Sequence, residues 1–349
     1  MSRNSSRGSG PRRSGGRGQK NSSNSRYKER KAFEREAIAK AEERFSISPK
    51  PMGFPKEEFK PNQINLEWKL MPVPHKAEES IRNVVVKRGE YGWLPDERVD
   101  EIAKFVKNKN ITLEQALSLR SAILQEKSVK TFSRLQREAP RIRKMYDEGQ
   151  SVVELSQRLD FPPMNLFRAI LMAKGWSKKK IKESLRSPSK GLNKRDYEEF
   201  KKAEMADRVS NVDQQETHER ADLFEEVLCD FFEEKGVRFR IQKEMVDEQM
   251  KEHGRPVRTP DLLLLDHVTI NGKPIAWIDA KHYYGASVDF QRRKTTKQMK
   301  RYIEEWGMGA IVFRHGFSEK LYIPGTILLD SSQLNLEKLN NLNYNDNGD

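Results

Sequence analysis

The chain has 349 residues, long enough for two ordered regions and a tail at about 100–200 residues per domain. Sixty-six Lys and Arg against fifty-two Asp and Glu leave a formal charge of +14, a balance that suits a phosphate-rich partner, although a merely soluble basic surface gives the same excess. The single cysteine, Cys229, excludes an internal disulfide, and no apolar stretch has the length of a signal peptide core or a membrane span; a reducing compartment, nucleus and cytoplasm, is expected, with no membrane as partner.

Residues 1–31 are Ser, Gly, Arg, Asn and Lys with almost no apolar side chain. Burial cannot offset chain entropy there, so a disordered basic arm is expected, either a phosphate-contacting or nuclear-targeting segment or a solubilising tail. Residues 32–94 read as a polar helix over Ala32–Phe45 and a Pro-rich linker through Ser48–Pro74.

Residues 95–190 carry apolar side chains at helical spacing. Val99, Ile102 and Val106 share one face; Thr112 and Gln115 form a capping box ahead of Leu117, Ile123 and Leu124, so two short helices joined at Asn108–Asn110 are predicted. Another helix, with Ile142, Met145 and Tyr146, is stopped by Gly149. Ser151 and Glu154 then make a second capping box before Val152, Leu155 and Leu159, and Phe161-Pro162-Pro163 turns the chain into Leu166, Phe167, Ile170 and Leu171. This is a helix-turn-helix pattern, with Arg168, Lys174 and Lys178 to Lys180 nearby; such a unit either sets its second helix in a DNA groove or packs against a partner. Residues 191–215 are a charged tether.

Residues 216–335 change character to helix, strand, strand, strand, helix, strand. Phe224, Val227, Leu228, Phe231 and Phe232 recur at helical spacing; Val237, Phe239, Ile241 and Met245 alternate as a strand does. Asp261 opens a run of four leucines, Asn271-Gly272 supplies a turn, and Ile275 to Ile278 form a strand ending in Asp279-Ala280-Lys281. A helix over 288–306 and a strand over 310–313 follow, and residues 336–349 are expected to be a disordered tail. The fold class is α+β multidomain: basic arm, all-α helix-turn-helix region, and an αβββαβ domain.

The chemistry lies where charges interrupt apolar runs. Asp261 precedes one strand and Asp279 and Lys281 end another, so ionisable groups gather at one end of a hydrophobic sheet, which is costly unless they serve each other or a cation. Strand alternation puts Asp279 and Lys281 on one face. Two carboxylates and the Ala280 carbonyl suit Mg²⁺, Glu225 on the preceding helix is placed to add a third carboxylate, and Gln298 and Tyr302, four apart, share a helical face. A two-residue turn at Asn271-Gly272 would leave Asp261 facing away from Asp279 and Lys281, so a longer loop, a bulge or divergence of the strands is predicted. Arg292, Arg293, Lys294, Lys297, Lys300 and Arg301 make the helix around Gln298 basic, as phosphate contact requires. His282 and His315, at strand ends near this centre, read as exposed bystanders or substrate contacts, and Cys229 as a buried structural thiol.

The runs Arg258-Thr259-Pro260-Asp261, Trp277 to Lys281, Gln298 to Tyr302 and Trp306-Gly307-Met308-Gly309 resemble the family named for its Thr-Pro-Asp motif, over about Arg98 to Leu329. The resemblance implies a PD-(D/E)xK nuclease fold related to Holliday-junction resolvases, Mg²⁺ (or Mn²⁺) held by Glu225, Asp261, Asp279 and Ala280, and catalysis by these acids with Lys281, Gln298 and Tyr302. Asp279 stands where animal members carry Glu. The resemblance also implies codanin as partner, and a homodimer by analogy with resolvases. The expected activity is metal-dependent cleavage of DNA, with branched structures as candidate substrates; the competing expectations are an adaptor binding codanin with little or no catalysis, and RNA as substrate.

Overall fold

Two residues write the hairpin at the centre of the sheet. Asn271 and Gly272 adopt φ of 50° and 70°, the left-handed pair a type I′ turn demands, and fold β3 (Leu262–Ile270) antiparallel onto β4 (Lys273–Lys281). Further strands add to both sides: β5 (Gly309–Phe313) runs parallel to β4 and β6 (Thr326–Asp330) parallel to β5, while β1 (Gln63–Leu66, parallel) and β2 (Phe239–Ile241, antiparallel) share the outer edge of β3. The computed structural model describes residues 18–209 and 214–345. The fold is α+β, with this mixed six-stranded sheet and thirteen helices among the described residues.

The register of the hairpin changes along its length. Ile270 faces Lys273 and Val268 faces Ile275, but Leu263 faces Trp277. Residues 264–267 of β3 thus lie between pairs that Ala276 alone separates on β4, an excess of four minus one, or three. An odd excess turns the following residues to the opposite face. The predicted bulge is present, and with Leu262 facing Ile278 the next pair along is Asp261 and Asp279.

Helices cover the sheet. The helix α1 (Gly18–Glu43) packs on β4 and on α12 (Asp289–Trp306), and α10 (Gln214–Glu234) packs on β4 and on α13 (Glu337–Asn345). Phe224, Val227, Leu228, Phe231 and Phe232 of α10 are buried there, as their spacing predicted. Trp277 and Trp306 are wholly enclosed, each stabilising the core by about 2–3 kcal/mol through lost contact with water.

Several expectations need correction. The segment read as linker belongs to this domain: β1 is an edge strand, Trp68 is buried with its indole N–H on the Asp330 carbonyl at 3.1 Å, and its backbone N–H reaches Asn271 Oδ1 at 2.7 Å. The basic arm expected over 1–31 gives way to α1 from Gly18; residues 1–17 lie outside the described residues. Ala37 and Ala41 of that helix seat on Gly307, where an added Cβ would meet Ala41 N at 2.4 Å and Ala37 O at 2.5 Å. Small side chains give the close approach and no hydrophobic signal. Met245 sits on a helix, α11 (Gln242–His253), because the chain leaves the sheet after Ile241. The tail expected from 336 holds α13, whose Leu339 is buried in the core.

Before this domain lie α2 (His75–Val85), α3 (Asp96–Val106), α4 (Leu113–Asp147), α5 (Val152–Leu159), α6 (Pro163–Ala173), α7 (Lys178–Arg186), α8 (Pro188–Gly191) and α9 (Lys194–Met205). Both capping boxes form, at Thr112/Gln115 and Ser151/Glu154. The two helices expected around Leu117–Leu124 and Ile142–Tyr146 are one 35-residue helix, α4, about 52 Å long at 1.5 Å per residue. It serves two cores: Ala116 and Leu119 pack with α2, α3 and the 284–288 loop, and Leu135, Ile142 and Tyr146 pack with α5, α6 and α9. The region read as a tether contains α9, with Phe200 and Ala203 in that second core; residues 210–213 lie outside the described residues. Among the described residues no helix is long and apolar enough to cross a membrane.

Candidate active site

The bulge and the two strand ends make the site. Asp261, last residue of the Thr-Pro-Asp run, and Asp279 are buried, 7% and 0% exposed. Asp261 Oδ2 accepts the Ala280 N–H at 2.6 Å and its Oδ1 accepts Gln242 Nε2 at 3.0 Å. A ladder residue's N–H and C=O point to the same neighbour, so the Ala280 carbonyl also faces the β3 side. Lys281, two residues on from Asp279 and on its face, sets its ammonium against Asp279 Oδ2. Gln298 Nε2 reaches Asp279 Oδ1 at 3.1 Å, and Tyr302, 3.5 Å from that amide nitrogen, donates to the Thr259 carbonyl at 3.1 Å. Glu225 on α10 is half-buried and feels the charges of both Asp279 and Lys281. All six side chains picked out from the sequence, together with Ala280, therefore converge on one end of the sheet.

Electrostatics follow from burial with too few cations. Burial pushes Asp261 well above the usual carboxylate range, the Asp279 charge adds to this, and Lys281 only partly opposes it. Asp279 is also raised by burial against the pull of Lys281. Burial, then Asp222 and Asp279, lift Glu225 to about 7. For Lys281 burial favours the neutral amine, but Asp279 and the other neighbours outweigh it and the ammonium is held more tightly than usual. Three carboxyl groups thus share one ammonium, an excess of negative charge that a further cation would relieve.

Whether these groups fit a metal turns on one atom. Asp279 Oδ2 is buried, and among the described residues it meets the Lys281 ammonium and no other donor. Buried beside an ammonium that it shares with Asp261, it is an oxygen of the class a hard divalent cation takes, and Asp261, Glu225 and the Ala280 carbonyl supply oxygen ligands of the same class. Among the described residues no three His, Cys, Asp or Glu side chains are drawn into a ready-made cage, so a cation would gather these ligands on entry.

The supports of the Thr-Pro-Asp loop escaped the sequence reading. Gln242 bonds Asp261 and reaches the Thr259 carbonyl at 3.3 Å, and buried Gln249 accepts Val257 N–H and Arg258 N–H at 2.7 and 2.9 Å while donating to the Arg258 carbonyl at 2.6 Å. Gln242, Met245 and Gln249 are spaced i, i+3, i+7, a helical signal masked by the alternation just before it. His282 and His315 are half-buried rather than exposed, with rings 6.0 Å apart; burial, reinforced by Arg314, pushes them down to about 3 and about 4. Cys229 is half-buried, its thiol pushed up to about 11 by burial and then Glu233.

Residues 192–332 match a family model described as a protein of unknown function with the TPD sequence motif. This part of the chain belongs to the TPD-motif family. The match begins at α9, so the TPD-motif region takes in the helix read as a tether. An uncharacterized protein of Acanthamoeba polyphaga mimivirus is 34% identical over 119 residues, 33% of this chain and 42% of that protein; the chain spans less than half the length of this relative. No solved structure matches.

Proposed function

We propose that the TPD-motif domain is a divalent-metal-dependent nuclease of the PD-(D/E)xK type that hydrolyses DNA phosphodiester bonds. The observation that carries this reading is that the odd-numbered bulge brings Asp261, bonded to the Ala280 N–H, to the end of β4 where Lys281 lies on Asp279. Glu225, Asp261, Asp279 and the Ala280 carbonyl are the groups that would hold Mg²⁺ or Mn²⁺. When bound, such a cation supplies Lewis-acid polarisation of the phosphodiester and acidifies a coordinated water.

The chain's own groups do the rest. Lys281, its ammonium fixed by Asp279, offsets negative charge on the phosphate oxygens and orients the attacking water. Glu225, raised to about 7 while no cation is bound, would give up its proton on becoming a ligand. Gln298 sets the plane of the Asp279 carboxylate, and Tyr302 holds the Thr259 carbonyl beside Asp261. Along α12, Lys294, Lys297 and Arg301 are exposed and form no ion pair among the described residues, which leaves them for backbone phosphates.

The test is cleavage of labelled duplex and branched DNA by the full chain with Mg²⁺ or Mn²⁺, against Lys281→Ala. Cleavage by wild type alone supports the proposal; equal rates for both proteins would defeat it, and cleavage confined to RNA would reassign the substrate. One observation favours a second reading, an adaptor that uses the fold to bind a partner: Lys281 closes on Asp279 and no three-ligand cage is preformed among the described residues. An Asp279→Asn protein that keeps full cellular function would decide for it.

A further inference from the structure

The helix-turn-helix unit carries a groove unrelated to the sheet's charged rim. Its second helix, α6, is spent on the core: Met164, Leu166, Phe167, Ala169, Ile170 and Leu171 are buried, so little of it is left to read base edges. Arg168 and Met172 look instead into a cavity of about 670 Å³ between α4, α6 and α7. Its floor is apolar, from Phe132, Met172, Ile181 and Leu185, and Phe132 stays 47% exposed. Its rim is cationic, from Arg168, Lys178, Lys182 and Arg186; none of these has an ion pair among the described residues, and no Asp or Glu lines the groove. Pro140, also on the wall, has no N–H to give the carbonyl of Gln136, leaving a backbone acceptor in the groove. From Phe132 to Pro140 the wall runs about 12 Å, two helical turns.

We propose that this groove docks an acidic amphipathic helix of a partner protein, its apolar stripe at i, i+3, i+4 and i+7 seated on the floor and its carboxylates flanking on the rim. Charge and polarity select this occupant. A phosphate backbone has no apolar ridge for the floor, and the chain's own residues 1–17 carry five arginines and no acid, which the rim would repel.

The test uses the full chain and a labelled peptide of about sixteen residues, Leu at i, i+3, i+4 and i+7 repeats and Glu elsewhere, with a Lys-for-Glu control. The Glu peptide is expected to saturate and the Lys peptide not; Phe132→Glu should weaken the Glu peptide about tenfold or more. The double variant Lys182→Glu, Arg186→Glu should reverse the preference to the Lys peptide, a gain that misfolding cannot give. No saturable binding, equal binding of both peptides, or an unreversed preference overturns the proposal. So does duplex DNA that these variants weaken while peptide binding stays unchanged.

Discussion

Two buried aspartates, Asp266 within β3 and Asp261 at its entrance, differ in almost everything except burial. Asp266, inside the inserted turn of β3, is 0% exposed yet saturated: Asn62 N–H and Arg238 N–H donate at 2.7 and 2.8 Å, and the Arg238 guanidinium closes to 2.6 Å. Burial alone would raise it, but these bonds hold it below the ordinary range. Asp261, five residues earlier, is raised well above it by burial and by Asp279, with Lys281 shared between them. Asp266 has two backbone donors and a guanidinium to offset its burial; Asp261 has the Ala280 N–H and Gln242 Nε2 but also Asp279 beside it, and burial wins. The two are also linked. Asp266 ties the bulge to β2 and to the segment before β1, and that bulge turns Asp261 toward Asp279.

The largest expected effect falls on the undersupplied side. Asp261→Asn should lower single-turnover DNA cleavage by about a thousandfold, while its thermal midpoint above pH 7, measured without metal, holds or rises because a buried charge has gone. A clear loss of stability would class Asp261 with Asp266. Next in size, Gly309→Ala drives a methyl into the Trp277 ring, 2.1 Å from the Cβ position; urea unfolding should show a loss of about 3 kcal/mol, and a neutral result would mean that the β4–β5 packing is misdescribed.

Asp266→Asn should cost about 2 kcal/mol in the same assay, the opposite sign to Asp261→Asn, with cleavage reduced only as far as the bulge loosens. The smallest effect is in pH dependence. Below 4.5 Glu225 is protonated folded or unfolded; between 4.5 and its folded value of about 7 only the folded chain keeps the proton, so this group makes stability fall as pH rises through that window. Glu225→Gln should flatten that slope in thermal melts at pH 5 to 8, and an unchanged slope would remove Glu225 from the site. Asp266, held low, behaves oppositely: its contribution is present above 3.8 and is lost as pH falls through its lowered folded value.

The site was more legible in the sequence than the frame around it. Asp279 and Lys281 interrupt an apolar strand, Gln298 and Tyr302 are one helical turn apart, and Asn271-Gly272 marks the turn, so the need for a three-residue loop, a bulge or divergence of the strands followed from counting residues. The bulge's own position was not readable, because its anchors, Asn62 and Arg238, are remote in sequence and polar. The edge strand β1 pairs with residues some 200 positions away and is half-buried on one side and exposed on the other. Alanines carry the α1 contact.

Calorimetric titration of Mn²⁺ at pH 6.5, in two buffers of different ionisation enthalpy, bears most directly on the difference between the two aspartates. Wild type and Asp266→Asn should both bind the ion and release protons as the raised carboxyls ionise, and Asp261→Asn should not bind. Equal binding by Asp261→Asn, or no binding by wild type, would contradict a cation site at the rim of the sheet.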